Sequence, residues 1–159
     1  MADPPYRLAY LDADVWTSAL IGEPGRAEIV RPILAAADAG EIKLLVSALM
    51  PIEVLGGPTR SRTQEHEEAA EAIVTRSSNI VVPAGRNVAL LARRYRLEYG
   101  LKTMDALHLA SAVRGHADVF FTWNMDDFGR VGPEVASVKI SKPYWHGTPQ
   151  LEGFRLPTS

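Results

Sequence analysis

Short apolar runs of strand length recur along this chain, and between them the apolar residues are spaced to fill one face of a helix; that alternation constrains the fold most. Arg7 to Leu11, Ile42 to Val46, Asn79 to Val82, Val119 to Thr122 and Val138 to Ile140 read as strands. Helical patterns fill the intervals. Val15 to Ile21 runs to the breaker Gly22-Glu23-Pro24, and Gly25 to Ala39 places Ile29, Val30, Ile33 and Leu34 at amphipathic spacing. A short helix is expected from Leu49 to Leu55, with Pro51 tolerated in its first turn. Longer helices are expected from Ser61 to Ser77, from Asn87 to Tyr99, and from a Thr103 cap through Val113. Strands separated by helices are joined by crossovers, so the predicted fold class is α/β, with a mostly parallel, roughly five-stranded sheet covered on both faces. Functional side chains in such folds gather at the carboxyl ends of the strands.

With 159 residues, 47% of them apolar, the chain fits one globular domain with a sizeable core. The domain is expected over residues 1–140, and the Pro- and Gly-rich stretch 141–159 as an irregular tail pinned to it by Trp145 and Phe154. No Cys is present, which excludes disulfides, zinc–cysteine sites and thiol chemistry and suits a reducing compartment. No signal-peptide pattern and no run long enough to span a bilayer is visible, so a cytoplasmic location is expected. The net charge of -2 argues against a protein that coats nucleic acid by bulk charge; a polyanion would have to meet a local basic patch.

Against this apolar background, four acidic stretches stand out: LAYLDADVW with Asp12 and Asp14, SALMPIEVL with Glu53, TMDALHLASAV with Asp105, and DVFFTWNMDDF with Asp126 and Asp127. Ionised carboxylates beside strand-like apolar runs need something cationic to offset desolvation and mutual repulsion. A set of Asp and Glu without Cys is a hard oxygen site suited to Mg²⁺, with Mn²⁺ as substitute, and such ions serve phosphoryl chemistry without a protein nucleophile. Each acid also has an ordinary role available. Asp14 lies where a helix begins, and an Asp there is more often an N-cap; Asp12, ending the strand, is favoured for function. Glu53 has apolar flanks, Asp105 could complement a helix dipole, and Asp126 and Asp127 could be turn residues. His108 shares a helix face with Asp105 but reads as packed within LHLASAV. His66, His116 and His146 show no ligand spacing, so zinc is not expected.

In that order and spacing, YLDADVW, SALMPIEVLGG, MDALHLASAV and FFTWNMDDF resemble the PIN-domain nucleases, especially the VapC toxin ribonucleases of bacterial toxin–antitoxin pairs. The resemblance spans Leu8 to about Ile140. It implies a three-layer α/β/α sandwich, a Mg²⁺-dependent endoribonuclease acting on single-stranded RNA to leave 5′-phosphate and 3′-hydroxyl ends, a small antitoxin partner and a homodimer. It assigns Asp12, Glu53 and Asp105 as catalytic metal ligands, direct or through water, with Asp14 behind them. Where the family often has Asp two residues after the strand-ending Thr, this chain has Asn124. If the chain stays extended, Asp126 shares the parity of Asn124 and is expected to supply the missing acid, while Asp127 caps the turn before a core-anchoring Phe128.

Arg60 and Arg62 follow the Glu53 segment, and Arg93, Arg94, Arg96 and Lys102 precede Asp105. Arg60 and Arg94 are the expected RNA contacts, with Trp123 a candidate for base stacking. Two other readings stay open. The motif LDADVW also resembles haloacid dehalogenase-type phosphatases, with Asp12 as nucleophile and Asp14 as general acid, although no matching downstream lysine segment follows. Alternatively, a PIN-like domain without metal could serve as an RNA-binding module.

Overall fold

The strand-like runs pair into one sheet in a computed structural model, which describes residues 3–55 and 63–145. Its strands are β1 (Leu8–Leu11), β2 (Lys43–Ser47), β3 (Asn79–Val82), β4 (Val119–Phe121), β5 (Glu134–Val135) and β6 (Val138–Ser141). The helices are α1 (Ala13–Leu20), α2 (Ala27–Asp38), α3 (Met50–Glu53), α4 (Gln64–Thr75), α5 (Arg86–Tyr99) and α6 (Thr103–Arg114), and a 3₁₀ turn spans Met125–Phe128. Among the described residues the sheet has six strands in the order β3-β2-β1-β4-β6-β5. Every pairing is parallel except β5 with β6.

That order positions the site. From β1 the chain builds outward through β2 and β3, then returns through α5 and α6 to lay β4 on the other side of β1. The reversal between β1 and β4 opens a crevice at their carboxyl ends, where an open parallel sheet binds its ligands. Leu11 pairs with Phe121, so Asp12 and Thr122, the next residues, stand side by side at the strand ends. The Asp12 amide donates to the Phe121 carbonyl at 2.9 Å and holds that register.

The floor beneath the crevice is apolar. Tyr10, Phe120, Phe121 and Phe128 are almost wholly buried, Tyr10 stacks on Phe120 at 5.4 Å, and Phe128 packs on Phe120 at 5.1 Å. Helix α6 packs on β2, β4 and α5, whereas α1 packs on α2 and α4 on β2 and β3. At the far end, Tyr6 meets Trp145 and Tyr144 edge-on, and its hydroxyl donates to the Tyr144 carbonyl at 2.7 Å. Phe154, the second expected anchor, lies outside the described residues with the rest of 146–159, as do Arg60 and Arg62.

Several local expectations need correction. The short strand β5 was not anticipated: it forms a hairpin with β6 through Ala136 and Ser137, both at positive φ (47° and 67°), the geometry of a two-residue mirror-image turn. Ala-Ser lacks the Asn-Gly signature that marks such turns. Thr103 is the first helical residue of α6 and does not cap it; Lys102 holds the cap position without a side-chain bond. The helix expected over 61–77 is shorter, Gln64–Thr75, with Thr63 as the capping residue through a 3.2 Å bond to the His66 amide.

Candidate acidic site at the strand ends

The capping role expected of Asp14 in LDADVW falls on Asp12. Asp12 is the N-cap of α1: its Oδ1 accepts from the Ala13 amide at 2.9 Å, and the residue is 3% exposed. Its Oδ2 accepts from the Thr122 hydroxyl at 3.0 Å. Asp14 caps nothing. Its Oδ2 accepts from the Trp123 amide at 3.0 Å and lies 3.4 Å from the Thr122 hydroxyl, while its buried Oδ1 has no hydrogen-bond partner. A hydroxyl carries one proton, so Thr122 can donate to only one of the two carboxylates at a time. That oxygen also accepts from the Asn124 amide at 3.1 Å. Two adjacent Asp side chains therefore share too few donors. Burial pushes the Asp12 carboxyl up to about 6, helped by Glu53 and Asp105 and opposed by His108. Burial and the Asp12 charge push Asp14 up to about 7.

Glu53 reaches the cluster from the end of α3. Ser47, at the end of β2, accepts from the Leu49 amide and turns the chain into that helix. After Glu53, Leu55 adopts φ 58°, a strained conformation for a leucine, and its amide donates to Thr17 on α1 at 3.1 Å. Glu53 Oε2 meets His108 Nε2 at 2.7 Å, and the other ring nitrogen meets the Tyr10 hydroxyl. The histidine is wholly buried. Burial works against its protonation, but the Glu53 bond and the charges of Asp12, Glu53 and Asp105 outweigh it and raise its pKa. Sequence reasoning read His108 as packed and missed that it ties the sheet to Glu53; its three-residue spacing from Asp105 was the available signal.

Asp105, in the first turn of α6, completes the group. Burial raises its pKa, and Asp127 and then Glu53 are the strongest charges acting in the same direction, with Lys102 opposing them. Asp12, Glu53 and Asp105 thus lie within electrostatic reach of one another, and Asp127 within reach of Asp105. The premise that favoured Asp126 does not hold, because the chain beyond Thr122 coils into a 3₁₀ turn and is not extended. Neighbouring residues on such a turn project about 120° apart. Asn124, Asp126 and Asp127 are all exposed, and Phe128 anchors the turn as expected. Arg94 is exposed on α5; a cavity of about 510 Å³ beside α6 is lined by Arg93 and Arg96 and by none of the acids.

Among the described residues, no three Asp, Glu or His side chains already converge into a metal cage. Mg²⁺ does not require one, since it keeps several waters and takes one or two carboxylates directly. The donor set fits such an ion: the oxygens are hard, the carboxylates repel one another, and Asp14 Oδ1 is buried without a partner. Metal held by Asp12, Glu53 and Asp105 would relieve that repulsion.

The PIN domain family model matches residues 9–132. No curated protein matches the chain at a significant level. Among solved structures, the Mycobacterium tuberculosis sarcin–ricin loop cleaving toxin VapC20 aligns with TM-score 0.65 at 15% identity, covering 80% of this chain and 97% of that one. The Rickettsia felis VapBC2 complex bound to a promoter DNA fragment gives 0.61 at 15% identity, covering 87% and 98%. A toxin–antitoxin complex from Klebsiella pneumoniae gives 0.56 at 22% identity, covering 82% and 94%. The family match covers the four acidic stretches and the strands that align them, and the chain belongs to the PIN-domain family.

Proposed function

We propose that this protein is a Mg²⁺-dependent endoribonuclease acting on single-stranded RNA, and the toxin of a toxin–antitoxin pair. The observation that carries the reading is the gathering of acids at the β1–β4 switch point, where burial and neighbouring carboxylates, Glu53 and Asp127 among them, raise the pKa values of Asp12 and Asp105. The likeness of the fold to toxin–antitoxin structures supports the toxin assignment and an antitoxin partner; a homodimer and a cytoplasmic location are further parts of the proposal.

Mg²⁺ in this site would supply Lewis acidity to the scissile phosphate and make water a better nucleophile at neutral pH. The chain's own residues orient the acids. Thr122 holds Asp12 from β4, the Trp123 amide holds Asp14, and His108 fixes the rotamer of Glu53 from beneath. Lys102, at the start of α6, offsets charge beside Asp105. Hydrolysis by water fits 5′-phosphate and 3′-hydroxyl products. A phosphatase using Asp12 as nucleophile is disfavoured, because the family model that matches is the PIN domain and no matching lysine segment follows LDADVW.

The test is cleavage of single-stranded RNA with Mg²⁺ or Mn²⁺, with and without excess EDTA, for wild type and Asp105→Asn. Cleavage should vanish in chelator and fall at least about 100-fold in the variant, while Mn²⁺ binding weakens in parallel. Undiminished activity in EDTA would refute the metal reading. Tight RNA binding with neither cleavage nor Mn²⁺ binding would identify an RNA-binding module instead.

A further inference from the structure

The acidic cluster poses a problem for any nucleic-acid substrate, since a phosphate chain approaching it meets carboxylates first. Cations near the cluster must therefore guide the strand. Lys102 serves the Asp105 side, where its charge opposes the rise in the carboxyl pKa. On the Asp14 side the corresponding cation is Arg26, which reaches the site through an aromatic ring. The guanidinium carbon of Arg26 lies over the Trp123 ring, 5.0 Å from its centroid. The ring is held at two points: its backbone amide donates to Asp14 Oδ2 and its Nε1 donates to Ser18 Oγ, each at 3.0 Å. Ser18 is wholly buried on α1 and its own hydroxyl donates to the Val15 carbonyl, so the indole is anchored to the core element that follows Asp12.

Arg26 itself has no comparable structural duty. It occupies the cap position of α2 without making a side-chain capping bond, and its ion pair with Glu23 is long, at 3.6 Å. Its side chain is 44% exposed. A half-exposed guanidinium over an indole whose own amide is bound to Asp14 offers a cationic, planar group one residue removed from the acids. Stacked aromatic and arginine planes are the surfaces on which proteins lay unpaired bases, and arginine adds attraction to the neighbouring phosphate.

We propose that Arg26 and Trp123 form the platform on which one nucleobase of a single-stranded RNA stacks, next to the phosphate that sits at the carboxylates. The stack runs from Trp123 through Arg26 to the base. This rests on the ribonuclease reading and adds to it where the strand leaves the site and why a duplex is excluded, since a base stacked between its neighbours in a duplex cannot offer its face. Arg26 is then a substrate-binding residue, and Trp123 is the residue that positions it.

The test measures binding, by fluorescence anisotropy, of a labelled single-stranded RNA in which an abasic nucleotide is moved along the sequence. The full chain carries Asp105→Asn so that the RNA survives with Mg²⁺ present. One abasic position should weaken binding by about tenfold, the cost of losing one stacked base. Arg26→Lys keeps the charge and loses the plane, so it should weaken binding of intact RNA by a similar factor and then be indifferent to the abasic nucleotide at that position. Trp123→Leu should behave the same way if it folds; Arg26→Lys, at an exposed position, keeps the experiment decisive if it does not. A flat abasic scan, undiminished binding by Arg26→Lys, or no RNA binding would overturn the platform. Cleavage by the wild-type chain is scored separately. A position-specific abasic effect without cleavage would remove the nuclease reading and leave the platform standing.

Discussion

Thr122 shows how little hydrogen-bonding capacity this site has to spare. One hydroxyl proton faces two carboxylates, Asp12 and Asp14, and the Asp14 oxygen left over is buried without a partner. A buried acceptor in that condition costs on the order of 1–3 kcal/mol, which persists in a fold when a function needs it. The same reasoning decides between the two acids of the 3₁₀ turn. Asp127 is the strongest neighbouring charge on Asp105, whereas Asp126 is not among the main charges acting on it. Asp127→Asn is therefore expected to lower RNA cleavage by roughly 10- to 100-fold and to weaken Mn²⁺ binding, with Asp126→Asn within about twofold of wild type in both. Titrating Mn²⁺ alongside cleavage kinetics checks this, and the opposite order would return the role to Asp126.

Elements carry these residues to one place only because they pack at close range. Gly115, ending α6, is the tightest example: a Cβ there would lie 2.8 Å from Leu45 Cδ1 and 3.1 Å from Val82 Cγ2, side chains in the core of β2 and β3. Gly115→Ala should therefore destabilise by about 1–3 kcal/mol, lowering Tm by roughly 2–10 °C. An unchanged or higher Tm would show that α6 can shift without cost. How much of this was legible depended on the range of the signal. The first four strands and the longer helices follow from local apolar spacing and were placed to within a few residues. The place of Asp12 and of the Thr122–Asp127 segment followed from the rule that functional side chains collect at strand ends, whereas Glu53 and Asp105, which lie on helices, were tied to the site only by the family resemblance. What failed was finer geometry. The capping role fell on Asp12 because α1 starts two residues earlier than the reading that made Asp14 the cap. The 3₁₀ turn cancelled a parity argument valid only for extended chain. The Glu53–His108–Tyr10 chain joins residues 55 and 98 positions apart, which no local pattern reports.

At the scale of the whole molecule, the acidic site is a stability cost that solution conditions should expose. Asp12 and Asp14 are pushed up from 3.8 to about 6 and about 7, so between about pH 4 and pH 7 the folded chain binds more protons than the unfolded one. Stability then falls as pH rises through that window and levels off once both groups are ionised. His108 has the same sign, since its pKa is also raised and its contribution is lost as pH climbs past it. A tenfold change in proton affinity is worth about 1.4 kcal/mol, so the metal-free protein should lose roughly 5 °C or more of Tm between pH 5 and pH 8. Asp14→Asn removes one of the titrating charges and should flatten that slope. A bound divalent cation stabilises the ionised carboxylates and competes with protons, so saturating Mn²⁺ should raise Tm strongly at pH 8 and little at pH 5. Thermal melts at the two pH values, with and without Mn²⁺, for wild type and Asp14→Asn, read out all three effects. A metal-free Tm that rises from pH 5 to pH 8 would show that these carboxylates are stabilised by partners within the fold, and the electrostatic case for a cation at the β1–β4 switch point would fail with it.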